Sequence, residues 1–336
     1  MSDKVLKVKN LAVVFKSRER KVHAVRGVDI EVNEGEIVGI VGESGSGKSV
    51  AMKAVIGILA DNALLSADVL SLGDKNLNNL SEREYQKIRG KDITMIFQDP
   101  MTALNPVIRV GKQLEEVIVR NSALSKKEAG EKALEMLERV GIPFPKESSK
   151  RYPHEFSGGM RQRVLIAMAL SCNPKLLIAD EPTTALDVTI QAQILDLIKT
   201  MSKDVGTSVI LITHDLGVVA ETCDRVVIMY GGLVMETGSI EEIFYKPKHP
   251  YTMALLQAIP SIDMDEGERL KSIEGFPPSL IDPPKGCPFA ERCEFRMDIC
   301  DSKRPPLKAF SKTHTSMCFL NEEELEHAFR RQKYGK

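Results

Sequence analysis

The sequence predicts an α/β fold with one main sheet, and three observations indicate this class. Short apolar runs rich in β-branched residues recur along the chain, as is typical of buried strands. Helix-like segments with one apolar face separate these runs. Between the predicted strand 37–41 and the predicted helix 49–59 stands Gly-Glu-Ser-Gly-Ser-Gly-Lys-Ser, residues 42–49, which fits the pattern of a phosphate-binding loop.

The loop 42–49 predicts a nucleotide site. Its glycines let the backbone bend so that several N–H groups converge on phosphate oxygens, and the following helix adds a favourable dipole. Lys48 can place its ammonium near the β- and γ-phosphates, and Ser49 can ligate Mg²⁺. A glycine-rich loop without a ligand is the alternative, which the flanking strand and helix disfavour. The candidate nucleotide-binding residues of the loop are Gly42, Ser44, Gly45, Gly47, Lys48 and Ser49.

Length, charge and hydropathy limit the possible functions. The 336 residues indicate two domains, or one large domain with an appendage. The net charge of −1 gives no sign of a nucleic-acid-binding surface. No apolar run reaches the roughly eighteen residues that span a bilayer, and residues 1–10 alternate in charge, unlike a signal peptide. We therefore expect a cytoplasmic protein with no nucleic-acid partner.

The residues before the loop predict an antiparallel β-region. Segments 5–15 and 28–32 alternate as half-exposed strands do, and residues 33–36 predict a hairpin turn into the strand that precedes the loop. Phe15 is a candidate for stacking on adenine. An ordinary core phenylalanine is the equally open alternative.

Polar side chains follow several of the predicted buried strands beyond the loop. Gln98 can reach a metal or a water, unless it is an ordinary surface residue. Asp180 is placed to hold Mg²⁺, and Glu181 to orient or deprotonate an attacking water; a solvated carboxylate pair is the alternative. His214 follows the next strand and is a candidate γ-phosphate sensor, although a lone histidine is more often structural.

An inserted helical lobe is predicted over residues 100–172. Helices are predicted over 109–120, 126–140 and 158–170. Ser157 is a natural N-cap for the last of them, and this helix start offers a second set of free N–H groups to an anion. Gly158 and Gly159 weaken a first turn unless the backbone must approach a ligand, so they indicate more than a capped helix.

The composition changes near residues 237–248. Prolines then become frequent and leave room for few helices, which we place at 251–258 and 322–331. We therefore predict a nucleotide-binding domain over 1–242 and a small irregular extension over 243–336.

Four cysteines crowd into this extension: Cys287, Cys293, Cys300 and Cys318. The gaps of five, six and seventeen residues contain no Cys-x-x-Cys pair. Four thiolates satisfy an iron–sulfur cluster or a zinc ion, and spacing alone leaves both open. Two disulfides or four free thiols are weaker alternatives in a reducing cytoplasm. Since the segment is poor in apolar residues, we expect a metal centre to act as its core. Cys172 and Cys223 are expected to be small core residues.

Together these residues resemble an ATPase subunit of an ABC transporter, over about residues 5–242. The motifs stand in the family order: the phosphate loop 42–49, Gln98, the signature 156–160, the strand ending at Asp180 and Glu181, residues 184–187 and His214. The resemblance implies that Ser157, Gly158, Gly159 and Asp187 also contact nucleotide. The signature departs from the commonest form, Leu-Ser-Gly-Gly-Gln, at its first and last positions.

A finer resemblance is to the ATPases of dipeptide and oligopeptide importers. It is carried by residues 152–163, 180–191, 248–252 and 286–293. It implies a peripheral protein on the cytoplasmic face of the membrane, two permease subunits, a paralogous ATPase or a second copy, and an extracytoplasmic binding protein. It also favours a [4Fe–4S] cluster over Zn²⁺ at the four cysteines. A nickel importer of the same group stays open, and a non-transport ABC ATPase is a weaker alternative.

The resemblance also implies a mechanism. Two subunits meet head to tail, and each ATP lies between one chain's phosphate loop and the other chain's signature helix. Since the cysteines are separated in sequence from every ATP motif, we expect the extension to steady the chain against a permease or the partner ATPase.

Overall fold

The computed structural model describes residues 4–184, 186–259 and 273–334. Ala185 of the motif 184–187, Pro260 and residues 1–3 of the amino-terminal segment lie outside the described residues. The strands are β1 (Lys4–Lys16), β2 (Lys21–Asn33), β3 (Ile37–Val41), β4 (Ala63–Ser66), β5 (Val69–Leu72), β6 (Lys75–Asn76), β7 (Ile93–Ile96), β8 (Leu176–Asp180), β9 (Ser208–Thr213), β10 (Arg225–Tyr230), β11 (Leu233–Ser239), β12 (Leu307–Ala309) and β13 (Thr315–Met317).

The helices predicted over 109–120, 126–140, 158–170, 251–258 and 322–331 begin and end within about three residues of the predicted positions, whereas the helix predicted over 49–59 ends four residues early. They are α1 (Lys48–Val55), α2 (Glu82–Ile88), α3 (Pro100–Ala103), α4 (Val110–Asn121), α5 (Lys126–Arg139), α6 (Pro145–Ser148), α7 (Gly158–Leu170), α8 (Val188–Val205), α9 (Leu216–Thr222), α10 (Ile240–Tyr245), α11 (Pro250–Gln257), α12 (Asp298–Ser302) and α13 (Glu322–Tyr334). Among the described residues, no helix is long and apolar enough to cross a membrane.

The chain divides into two compact units. The first contains Val32–Ile37 and Asn79–Ile212 together with the start of β1. The second contains Lys7–Glu31, Val38–Asn78 and the chain from Thr213 onward. The sequence boundary near residue 242 stays a prediction.

The first unit is built on parallel strands in the order β9-β8-β7. All residues of β8 and β9 are buried, which explains their nearly continuous apolar sequence. The helices of the predicted lobe follow β7. One face of α5 is apolar and buried, formed by Ala129, Ala133, Met136, Leu137 and the adjoining Val140.

The second unit contains an antiparallel sheet in the order β2-β1-β5-β6, with β4 also paired to β1, as predicted for the region before the loop. Its other strands include β3, which pairs in parallel with β10, and β11, which is antiparallel to β10. The turn at residues 33–36 is confirmed, because the Glu36 N–H donates to the Asn33 carbonyl at 3.2 Å. The predicted hairpin is wrong: β2 pairs with β1, whereas β3 joins a different sheet.

The extension is more regular than its prolines indicate. Strand β13 pairs with β11, and β12 pairs with β13, so the extension adds strands to the sheet that holds β10. The expectation that it lacks an apolar core is also wrong. Helices α11 and α13 contribute Met253, Leu325 and Ala328 to a buried cluster that Phe295 and Phe310 border. Apolar residues dispersed along the segment supply this cluster, which a count of apolar residues in one stretch overlooks.

Candidate nucleotide-binding site

Two glycines fix the path of the loop between β3 and α1. A Cβ at Gly42 would lie 2.0 Å from the Met229 carbonyl oxygen, so no larger residue fits there. Gly47 has a φ of 99°, in the left-handed region, and a Cβ on it would lie 2.4 Å from the Ala24 carbonyl oxygen. The sequence therefore needs glycine at both positions to bring the loop against its neighbouring backbone.

The ammonium of Lys48 lies inside this loop. Its Nζ donates to the carbonyl oxygens of Gly42 at 2.6 Å and Glu43 at 2.9 Å, and the side chain is almost fully buried. Helix α1 begins at Lys48 without a side-chain cap, and its first turn contains no acidic residue. A fixed cation and a helix N-terminus thus meet at one place, which suits a phosphate group. Ser44 and Gly45 are exposed on the same loop, and Ser49 is half-buried.

The extension contacts this loop, which the sequence did not predict. Arg292 donates from Nη1 to both carboxylate oxygens of Glu43, each at 2.9 Å, and to the Tyr230 hydroxyl at 2.9 Å. The Tyr251 hydroxyl accepts from the Glu43 N–H at 3.1 Å. Separation from the ATP motifs in sequence is therefore not separation in space, and the expected steadying role of the extension stays a prediction.

Three aromatic rings anchor the same contact. Phe289 stands between two of the cysteines and packs edge-on against Tyr230, with ring centres 5.5 Å apart. Its ring centre is 5.1 Å from that of Tyr251, which in turn is 4.6 Å from that of Tyr230. Burial raises the pKa of the Tyr251 hydroxyl well above its usual value, and the charge of Glu43 acts in the same direction. Tyr251 therefore stays protonated at neutral pH.

In the first unit, the structure brings Gln98 and Glu181 together. Glu181 Oε2 accepts from Gln98 Nε2 and from Thr184 Oγ1, each at 3.0 Å. Glu181 has a φ of 46°, a left-handed conformation that is costly for a residue with a Cβ and is found most often at functional sites. Its N–H donates to the Ile212 carbonyl at 3.0 Å, which fixes this conformation at the end of β8. Asp180 precedes it and is 4% exposed.

The signature segment combines residues that pack in the core with residues that are exposed to solvent. Ser157 caps α7 as predicted, with its Oγ accepting from the Met160 N–H at 3.3 Å, and it is exposed. Phe156 is buried, so the departure at the first signature position fills the core. A Cβ at Gly159 would lie 2.8 Å from Ile190 Cγ2, so close packing of α7 on α8 accounts for this glycine without a ligand. A Cβ at Gly158 would make only an ordinary contact, 3.5 Å from Leu186 Cδ2.

Three further predicted residues have positions that fit several roles. Asp187 is the N-cap of α8 and accepts from the Ile190 N–H at 2.9 Å. His214 is exposed and directly follows β9. Phe15 is half-buried near the end of β1 and pairs with Ala63 of β4. Their contacts with nucleotide stay predictions.

The four clustered cysteines line one narrow cavity. Phe289, Phe319 and Leu320 also contribute to its walls. No disulfide joins any of the six cysteines. Burial raises the pKa of Cys287 and Cys293 to about 12 and that of Cys318 to about 11, and the neighbouring thiols add to each shift. No group of three or more His, Cys, Asp or Glu side chains within the described ranges is arranged to hold a metal ion. Cys223 is buried as expected, and Cys172 is half-buried.

Comparison with family models gives two matches. Residues 25–184 match the model described as ABC transporter. Residues 235–300 match the model described as oligopeptide/dipeptide transporter, C-terminal region. The second match covers three of the four clustered cysteines.

Close relatives extend over nearly the whole chain. The dipeptide transport ATP-binding protein DppD of Bacillus subtilis is 53% identical over 327 residues, which are 97% of each chain. The oligopeptide transport ATP-binding protein OppD of Salmonella typhimurium is 50% identical over 321 residues, which are 96% of this chain and 95% of that protein.

Solved structures resemble a large part of the chain. A dimeric post-hydrolysis state of the ATP-binding cassette MJ0796 with ADP and Pi has a TM-score of 0.62 and 29% identity, and covers 70% of this chain and 98% of that one. The protein cbiO1 from Clostridium perfringens, part of the ABC transporter complex cbiONQ, has a TM-score of 0.63 and 31% identity, and covers 73% of this chain and 92% of that one.

Proposed function

This chain belongs to the ABC transporter family of ATP-binding proteins, and we propose that it is the ATP-hydrolysing subunit of an importer for dipeptides or oligopeptides. The observation that supports this most strongly is the carboxylate of Glu181, held by Gln98 and Thr184 directly after Asp180. The relatives named as dipeptide and oligopeptide transport proteins support the peptide substrate.

The contacts of Lys48 within one unit and of Glu181 within the other support the following proposed roles in hydrolysis. Lys48 would place its ammonium against the β- and γ-phosphates, and Ser49 and Asp180 would hold Mg²⁺, which would neutralise phosphate charge when bound. Glu181 would accept a proton from the attacking water, while its bonds to Gln98 and Thr184 orient the carboxylate. Gln98 would also contribute to the metal site, and His214 would contact the γ-phosphate.

We propose that two ATPase subunits close head to tail on ATP, either two copies of this chain or this chain and a paralogue. Ser157 is exposed at the start of α7 and makes only a weak cap bond at 3.3 Å, so its hydroxyl can turn to a phosphate that the partner binds. Gly158 and Asp187 would line the same interface. Val188, at the start of α8, is 83% exposed, as expected of a surface that a partner covers.

The helical lobe offers a docking surface for a permease. Phe97, Met101 and Val107 are 39%, 54% and 77% exposed, and all three lie close to Gln98 in the sequence. Exposed large apolar side chains grouped in this way mark protein interaction sites. Docking here would place this chain at the cytoplasmic face of the membrane, with two permease subunits and an extracytoplasmic binding protein completing the importer.

We further propose that the four clustered cysteines hold a [4Fe–4S] cluster, with Zn²⁺ as the alternative. All four cysteines line one cavity with apolar walls, which supports the ligand count and the shielded surroundings of such a centre, although the described side chains are not arranged around a metal ion. Anaerobic purification followed by iron, sulfide and zinc analysis tests this proposal. Cys300→Ser should remove the metal and Cys172→Ser should not; colourless protein with one zinc and no labile sulfide would contradict the cluster.

A pull-down from membranes tests the transport assignment. The tagged chain should retain two polytopic membrane proteins, and Phe97→Ser with Met101→Ser should release them. The matched control is Leu124→Ser, which changes another exposed apolar residue on the lobe. Retention of ribosomes or DNA-repair proteins in place of membrane proteins would contradict the proposal.

A further inference from the structure

One arginine of the extension reaches the phosphate loop. The Arg292 side chain is only 6% exposed, and its Nη1 lies 2.9 Å from both carboxylate oxygens of Glu43. Glu43 is the second residue of the loop, so this ion pair joins positions 249 residues apart in the sequence. Charge-assisted hydrogen bonds of this kind are among the strongest polar contacts in proteins.

The rest of the guanidinium is fixed to the extension itself. Arg292 Nε donates to the Glu274 carbonyl at 2.8 Å, and Nη2 donates to the Ile273 carbonyl at 3.0 Å. The planar group therefore has one edge on the backbone of the extension and the other on the loop. Because its donors are held in a rigid fork, a lysine could not make the same link.

Glu43 in turn fixes the part of the loop that holds Lys48. Its carbonyl accepts from Lys48 Nζ at 2.9 Å and from the Ser46 N–H at 3.2 Å, while its own N–H donates to Tyr251. Its carboxylate brings a negative charge to a loop that is built for phosphate. Without Arg292 this charge would repel the phosphates of a nucleotide.

The extension also borders the other side of the loop. The His23 N–H donates to the Leu280 carbonyl at 2.8 Å, and Arg26 Nη2 donates to the Pro284 carbonyl at 2.8 Å. Ala24 lies between these two residues, and its carbonyl is the atom against which Gly47 packs. The backbone that supports the loop is thus itself supported by the extension.

We propose that Arg292 is a positioning residue for nucleotide binding, which neutralises Glu43 and thereby couples the cysteine-bearing extension to the phosphate loop. This inference rests on the proposed ATPase function of the loop. The coupling is reciprocal, since any state of the extension that moves Arg292 changes affinity for ATP, and bound ATP stabilises the extension.

A double-mutant cycle on the full chain tests the proposal through the Kd for ATP. Arg292→Ala should weaken binding about tenfold, within the usual range of coupling between sites. Glu43→Gln should change the Kd by less than about threefold, and adding it to Arg292→Ala should restore binding to within about threefold of the unaltered chain, since the uncompensated charge is then gone.

The controls separate this role from a merely structural one. Arg296 makes a solvent-exposed ion pair with Asp301 in the same segment, away from the phosphate loop, so Arg296→Ala should leave the Kd unchanged. If Arg292→Ala does not fold, Arg292→Gln takes its place in the cycle. The proposal is overturned if the arginine variant binds ATP within twofold of the unaltered chain, or if Glu43→Gln fails to restore its affinity.

Hydrogen exchange supplies the reciprocal measurement. The N–H groups of Cys287 and Arg292 donate to backbone carbonyls within the extension, so their exchange rates report its stability. ATP should slow exchange of this segment in the unaltered chain but not in Arg292→Ala at equal saturation; equal slowing in both would contradict the coupling. Failure of the unaltered chain to bind ATP at all would instead overturn the proposed function.

Discussion

The phosphate loop and the cysteine-bearing extension are both held by buried polar contacts, but over very different distances in sequence. Lys48 bonds to backbone only five and six positions away. Arg292 bonds to Glu43 across 249 positions, and His314 contacts Glu236 across 78. The loop therefore follows from a local motif, whereas the extension is defined by partners that its own sequence does not reveal.

The largest effect should come from the proposed ATP site, whose residues stand in local sequence motifs. Glu181→Gln keeps the shape of the side chain but removes the proposed base, so we expect ATP turnover to fall by about a hundredfold or more with binding intact. Turnover and Kd measured on the same preparation check this. Glu131→Gln, on the exposed face of α5, is the matched control. Near-normal turnover by well-folded Glu181→Gln would remove Glu181 from this role.

The contact between Glu236 and His314, which are 78 positions apart, should affect stability but not ATP hydrolysis. Glu236 is fully buried on β11, and its Oε1 lies 2.7 Å from His314 Nε2 and also accepts from the Lys248 N–H. His314→Phe keeps the volume but leaves the carboxyl short of a partner, so the free energy of unfolding should fall by about 2 kcal/mol.

Urea unfolding measures this difference. His327→Phe is the control, because His327 is exposed on α13. Adding Glu236→Gln to His314→Phe should recover part of the loss. If His314→Phe and His327→Phe unfold at the same urea concentration, the remote pair does not stabilise the extension.

A third prediction compares two phosphate-binding groups of the proposed shared site. Lys48→Ala should weaken ATP binding by the dilute subunit at least about tenfold, the loss expected for one charge-assisted contact. Ser157→Arg should leave that affinity nearly unchanged and block dimer formation, because Ser157 would serve the partner's nucleotide. Titration of the dilute subunit with ATP measures the affinity, and light scattering in the presence of ATP measures dimer formation. Equal loss of affinity in both variants would contradict a shared site.

The smallest effect concerns pH. Although burial opposes it, hydrogen bonds from Ser311, the Ser239 backbone and Thr313 lower the pKa of Glu242 to about 2, from a usual 4.5. The folded-state pKa is depressed, so this stabilisation is complete above about pH 4.5 and is lost as the pH falls towards 2. Glu242→Gln should flatten that part of the stability curve by less than about 1 kcal/mol, given solvent screening. Parallel curves for the two proteins would show that the carboxylate contributes nothing.

The sequence predicted what local patterns determine. Helix α7 was predicted at its observed bounds, because Ser157 caps it and an apolar run fills it. The contact between Gln98 and Glu181 was not predicted as a pair, although both were placed at strand ends. The roles of Arg292 and Tyr251 were missed, because nothing in their neighbourhoods encodes a partner more than 200 residues away. The predicted hairpin failed for the same reason, since pairing of β3 with β10 depends on distant residues.

Peptide transport by a reconstituted complex tests the central claim most directly. The chain would be assembled in vesicles with its permeases, its ATPase partner and the binding protein. Uptake of a labelled dipeptide or oligopeptide would then be measured with ATP supplied on the side of the membrane where the ATPase subunits lie. The account predicts peptide uptake that requires ATP and is abolished by Glu181→Gln, with ATP turnover rising when peptide is present. Peptide uptake that is unchanged by Glu181→Gln, or ATP turnover that is the same with and without peptide, would contradict it.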